Sequence, residues 1–328
     1  MKNASTNEKP KKTETADDIS SGVIPSANFS ELADLKERGQ INVPYVVEVN
    51  GPDGQNLVFY GSEHRFDPAD EQVEDITRSW TDFYESHPDA VIMVEGNYDQ
   101  LSVEDTRDRD TAILNFGEHG LMVHLARQAG VEVLSPEPNG AELEAQLISE
   151  FGQDQVVLQR VLAHITEVGK KILDGQVLDM EQEISDFLAQ YSRESVDGRF
   201  VPYGIHDIED IYRDLFPEGT MKFTPVQYDS DLPDSYINEI DPVFAEKIDG
   251  NPYLVKVFDI AVAAYNLFNP EQDKCVLNEI TRRADVLRNI HIAQQVQSQW
   301  SQGKSIFAVY GWSHAAHLEP ALKALTKA

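Results

Sequence analysis

Between Val43 and Tyr60, β-branched and aromatic runs flank Asn50-Gly51-Pro52-Asp53-Gly54, a turn-forming cluster that predicts a strand hairpin. From Pro68 to His87 the apolar positions Val73, Ile76, Trp80, Phe83 and Tyr84 fall close to helical spacing. Ala90 to Val94 and Val131 to Leu134 read as strands. Leu114 to Ala129 reads as a helix, with Gly130 where a C-cap glycine belongs. Strand, helix, strand, helix, strand is the order of parallel-sheet units with right-handed crossovers.

The pattern then becomes helical. Val157, Val161, Ile165, Val168 and Ile172 form one stripe, and Met180, Ile184, Phe187 and Tyr191 another, so residues 139–270 read as a helical insertion up to Phe268. Arg199 to Pro242 is rich in Pro, Gly and Asp, as expected of loops that cover a site. Asn251-Pro252 is a helix start by cap and first-turn proline. After Cys275, the residues Leu277, Ile280, Ala284, Leu287 and His291 share a helical face that Gly303 closes, and the strand-like run Ile306 to Tyr310 resumes the sheet. The fold expected is α/β: a mixed, largely parallel central sheet flanked by helices, forming one domain over residues 23–328 with the helical insertion between its halves.

Composition narrows the function. With 27 Lys and Arg against 57 Asp and Glu, the formal charge of −30 disfavours nucleic acid and anionic surfaces. The single cysteine excludes an internal disulfide and a multi-thiolate metal site, and fits a reducing, cytoplasmic setting; Cys275 is expected as a buried, inert thiol. Met1 to Gly22 is polar, without the apolar core of a secretory signal, and is expected to be a disordered tail. Tyr253 to Phe268 is too short and too polar to span a membrane and reads as a buried helix. Nothing in the sequence indicates the oligomeric state.

Candidate chemistry collects at the ends of strand-like runs. Leu57 to Tyr60 leads into Gly61-Ser62-Glu63-His64, Ala90 to Val94 into Glu95-Gly96, Val131 to Leu134 into Ser135-Pro136-Glu137, and Ile306 to Tyr310 into Gly311-Trp312-Ser313-His314. If these strands are parallel, their carboxyl ends share the sheet edge at which open α/β folds place ligands. A glycine at the strand end permits a sharp turn or a close approach. The two Gly-x-x-His elements read as counterparts in the two halves. Neutral imidazole binds borderline metals and is a base near neutral pH. Plainer roles exist: strand-end hydrogen bonding for His64 and His314, capping for Glu95 and Glu118, and an ion pair with Asp285 for Arg288. Arg107 to Asp110 reads as a solvated loop, and His164 as structural.

Through the two Gly-x-x-His motifs, the strand-ending Glu95 and the helix bearing Arg288, the chain resembles the TraB/Tiki superfamily, related to ChaN-like and erythromycin-esterase-like proteins. The resemblance covers Val43 to Pro138 and Cys275 to Leu325. It implies peptide or ester cleavage, or haem binding. His64, His314 and Glu95 would then hold a divalent cation, with manganese or cobalt favoured and zinc compatible, or one histidine would act directly as a base. Arg288 would stabilise charge on the substrate. Glu63, Glu118, His119, Glu137 and His317 are further candidates for the same edge. Glu63 directly beside His64 departs from the esterase spacing and disfavours a macrolide substrate. The expected function is hydrolysis of a peptide or small-molecule ester by an activated water, with a metal-free esterase or a haem-binding protein as alternatives.

Overall fold

The hairpin expected around Gly51 is formed by β1 (Tyr45–Asn50) and β2 (Asn56–Ser62), antiparallel with Val47 opposite Phe59. A computed structural model describes residues 42–52, 54–173, 175–194, 198–217, 252–268 and 275–325. The tail before Val23, residues 218–242 and Asn251 therefore lie outside the described residues.

After β2 come α1 (Glu71–Ser86), β3 (Val91–Val94), α2 (Arg109–Ala129) and β4 (Val133–Leu134). A helical stretch follows: α3 (Gly140–Phe151), α4 (Gln153–Leu173), α5 (Met180–Leu188), a small hairpin of β5 (Ser192–Glu194) and β6 (Phe200–Pro202), α6 (Ile205–Leu215) and α7 (Pro252–Phe268). The chain closes with α8 (Val276–Ser301), β7 (Ile306–Gly311) and α9 (Trp312–Ala324). The main sheet runs β1-β2-β7-β3-β4; β2, β7, β3 and β4 are mutually parallel and β1 alone is antiparallel. This is the α/β architecture read from the sequence.

Two compact units divide the chain. Met1–Pro136 and Ile290–Ala328 make the sheet unit, and Glu137–Asn289 the helical unit, so α8 gives its first part to one and its remainder to the other.

Alternation along the strands builds the sheet unit in layers. Ile306, Ala308 and Tyr310 of β7 join Val47, Phe59 and Met93 in a core closed by Ile292 and Val296 of α8 and Leu318 and Leu322 of α9. Phe307 and Val309 join Tyr60, Ile92 and Val94 on the other face, against Ile76 and Trp80 of α1 and Leu121 and Met122 of α2. A sheet covered on both faces needs the near-continuous apolar runs that β3 and β7 carry. The helical unit has its own core, in which the stripe Val157, Val161, Ile165 and Val168 of α4 meets Val257, Ile260 and Ala264 of α7.

Three local expectations are corrected. The second helix begins at Arg109, because the Asp108 carboxylate accepts a hydrogen bond from the Thr111 amide and caps it, so of the expected solvated loop Arg107 and Asp108 stay exposed and non-helical while Arg109 and Asp110 start the helix. The insertion is not wholly helical: Phe200 and Val201, between Gly198 and Pro202, suit an extended hairpin better than a helix. Cys275 is half-buried, with its Sγ 3.2 Å from Leu267 O. Among the described residues no helix is long and apolar enough to cross a membrane.

Tyr60 ties the sheet to α1, its hydroxyl donating to Asp75 Oδ2 at 2.7 Å. Burial, and then the hydrogen bond and charge of Asp75, push its phenol well above the ordinary value of 10.0. A raised folded value stabilises the protein fully below the unfolded value, and the contribution is lost as pH rises through the folded one. Tyr60→Phe should therefore cost about 1 kcal/mol at neutral pH, with the gap from wild type closing in strongly alkaline denaturant titrations. A constant gap up to the alkaline unfolding limit would contradict this.

Candidate functional site

Parallel pairing of β2 with β7 sets Ser62 opposite Gly311, and β3 on the other side of β7 sets Val94 opposite Val309. His64, Glu95 and His314 thus leave the sheet at one edge. A Cβ placed on Gly311 would lie 3.3 Å from Glu95 Oε2 and 4.0 Å from both His314 Cδ2 and His64 Nε2. The absent side chain at Gly311 marks the point about which the three groups gather.

The two motif glycines differ in role: Gly311 ends β7 and is the N-cap at which the chain turns into α9, whereas Gly61 lies within β2. Gly61 serves close approach: a Cβ there would stand 2.7 Å from Ala315 Cβ and 2.8 Å from Trp312 Cα, so α9 packs onto β2 only because that position is bare. The two motifs are not counterparts beyond the sheet, since His64 stands on an irregular segment and His314 in the first turn of α9.

Glu95 caps a helix, though not the next one in sequence. Its Oε2 accepts the Gly311 amide at 2.8 Å at the start of α9, and its Oε1 is 3.4 Å from His314 Nε2. A carboxylate at that N-terminus is favoured by the helix dipole.

On the other side of Gly311, His64 Nδ1 is 2.9 Å from Glu118 Oε1. Glu118 is fully buried and also accepts the Arg65 amide on Oε2 at 3.0 Å, while the Ser62 hydroxyl lies 3.1 Å from both Oε1 and Tyr310 O. Gly117 makes this possible. It breaks α2 with φ 61° and ψ −150°, a region open essentially to glycine, and a Cβ there would meet Arg65 O at 3.0 Å. Burial pushes the Glu118 carboxyl up; the His64 hydrogen bond, the charge of His119 and the Arg65 amide together outweigh it, and the net direction is down.

His119 is buried, with Nε2 3.8 Å from Glu118 Oε1 and its ring stacked on Tyr98 at 5.1 Å and 12°. Ligand atoms of His64, Glu118 and His119 all lie within 4.8 Å of one another. Tyr98 feels both carboxylates: burial first, then the charges of Glu118 and Glu95, raise its phenol above the ordinary value.

The other candidates have partners of their own. The Glu63 carboxylate pairs with Arg65, and its backbone is held by the Gln72 side chain, which accepts from Glu63 N at 2.9 Å and donates to Glu63 O at 2.7 Å. His317 is half-buried one turn after His314 on α9. Arg288 and Glu137 belong to the helical unit, where they form a two-pronged pair at 3.0 and 3.1 Å across 151 residues of sequence. An open groove of about 880 Å³ passes Tyr60, Glu63, Arg65 and Asp70. Ser62 and Tyr98 were not singled out from the sequence. Ser62 stands inside the first motif, but Tyr98, four residues past β3, carries no signal that periodicity would detect.

Comparison with protein-family models, with curated proteins and with solved structures gives no match.

Gly117→Ala should strain the break in α2 by about 1–3 kcal/mol and also press on Arg65 O. The variant is expected to melt earlier and to lose order at His64, read from its imidazole resonances. A Gly130→Ala control, at a C-cap where a Cβ meets nothing within 4 Å, should lower stability without disturbing those resonances; equal disturbance by both would refute the local role of Gly117.

Proposed function

We propose that this protein is a metal-dependent hydrolase that cleaves a peptide or ester bond. The observation that supports this reading is the gathering of His64 Nε2, His314 and Glu95 about Gly311. Two imidazoles and a carboxylate suit manganese, cobalt or zinc, and three protein donors are the number that leaves coordination positions for water and substrate. When bound, such a cation would lower the pKa of water and polarise a carbonyl. His64, His314 and Glu95 would hold it. The bare Gly311 keeps the centre open.

One observation favours a second reading, direct base catalysis without metal: the Glu118–His64 pair has the carboxylate–imidazole geometry that activates a water. Arg288, whose guanidinium donates to Glu137, would in the metal reading stabilise charge on the substrate.

His64→Ala and His314→Ala should each reduce bound metal at least tenfold and abolish turnover of a peptide or ester panel while leaving the circular dichroism spectrum unchanged, because the side chains stand at a sheet edge. Gly311→Ala should do the same by filling the centre. Full activity after exhaustive chelation would sink the metal reading and leave the base reading; unchanged activity in both histidine variants would remove the site altogether.

A further inference from the structure

We infer that Glu118 is a positioning residue that fixes the proton of His64 on Nδ1, and so leaves Nε2 as the nitrogen presented at Gly311. The inference rests on the proposed site and assigns Glu118 a task different from metal ligation.

Three donors converge on this carboxylate. The Arg65 amide points at Oε2, and His64 Nδ1 and the Ser62 hydroxyl are both within reach of Oε1. A backbone N–H can only donate, so Oε2 is committed. Oε1 is an acceptor, and Nδ1 at 2.9 Å meets it by carrying the proton. In neutral imidazole the other nitrogen is then a lone-pair donor. That nitrogen, Nε2, is the one 4.0 Å from where a Cβ on Gly311 would lie. A cation on Glu118 would have to displace the Nδ1–H bond, whereas one held through Nε2 keeps it. A carboxylate behind a metal-binding histidine in this way sets tautomer and ring orientation.

The same geometry dictates what an amide would do. In Glu118→Gln the Arg65 N–H still requires an oxygen at the Oε2 position, which turns the NH₂ toward His64 Nδ1 and Ser62. Ser62 can accept from it and donate to Tyr310 O, which is already 3.1 Å away. His64 Nδ1 must then accept, and the proton moves to Nε2. The variant keeps the Arg65 amide, His64 Nδ1 and the Ser62 hydroxyl bonded and loses only the longer 3.8 Å approach of His119 to a carboxylate, so its fold should survive while the imidazole presents N–H where a lone pair is required.

The test is ¹⁵N histidine spectroscopy of the full chain, metal-free and above the pH at which imidazole is charged, with the His64 signal assigned from a His64→Gln spectrum. Wild-type protein should show Nδ1 protonated and Nε2 bare, and Glu118→Gln the reverse, with Co²⁺ affinity weakened by about 10- to 100-fold. A purely structural role for Glu118 would not invert the tautomer of a folded variant. Nε2 protonated in wild type, or an unchanged tautomer in the variant, overturns the inference; should the variant not fold, the wild-type spectrum alone decides. Inverted tautomers without Co²⁺ uptake by either protein would uphold the role of Glu118 and sink the metal reading.

Discussion

The parallel ladder between β2 and β7 is the constraint on which the rest depends. Its register sets Leu57 opposite Ile306 and Ser62 opposite Gly311, joining segments about 250 residues apart in sequence. A slip by one residue would reverse which side chains meet each flanking layer, exchanging Phe307 and Val309 with Ala308 and Tyr310. Burial on both faces therefore fixes the register, and the register fixes where the two Gly-x-x-His motifs end. Gly61 adds a second lock: α9 lies so close to β2 that any side chain at Gly61 would collide with Ala315. The start of α9, and with it His314, is thus positioned by packing more than by the polar groups around it.

Two carboxylates then tie separate elements to that frame. Glu95 reaches from the end of β3 to the amide of Gly311, the N-cap residue of α9, and Glu118 reaches from the break in α2 to the segment after β2. Each replaces water at backbone donors that burial would otherwise leave unsatisfied. In both cases a histidine comes with the backbone: His314 stands in the turn that Glu95 caps, and His64 immediately precedes the amide that Glu118 accepts. Capping and chemistry are the same contact viewed from two ends.

Much of this was legible in the residues. Period-2 and 3.6-residue patterns are local, and they place the hairpin, the three parallel runs flanking Glu95 and the motifs, and the stripes on α4 and α8. Strand ends carrying His64, Glu95 and His314 follow from those runs once parallel pairing is assumed. The break at Gly117 was not legible, because the Glu118 segment reads as a plain helix until Arg65 O approaches it. Nor was the pairing of Arg288 with Glu137 visible, since that contact spans 151 residues. Tyr98 entered only through stacking on His119, a contact that no spacing rule encodes. The misses share one cause: each depends on a tertiary neighbour, whereas the successes depend on a face repeated along one element.

The two carboxylates are nonetheless unequal, and the inequality bears on the chemistry. Glu118 is buried, and its contact to His64 at 2.9 Å is of ordinary hydrogen-bond length. Glu95 is partly exposed, and its Oε1 stands 3.4 Å from His314 Nε2, beyond the usual N–H···O range. A tight carboxylate–imidazole contact suits orientation, because it holds a proton and a ring plane. A longer one is compatible with both groups facing a shared third partner. Side-chain exposure runs the same way, 57% at His64 against 9% at His314 and 1% at Glu118. Of the two motif imidazoles, the one that solvent reaches more readily is the one whose back is held by the more deeply buried acid. Both hydrolytic readings require that order of parts, since a metal ligand and a general base each need Nε2 deprotonated and aimed. The arrangement of protons around His64 therefore stands upstream of the choice between them.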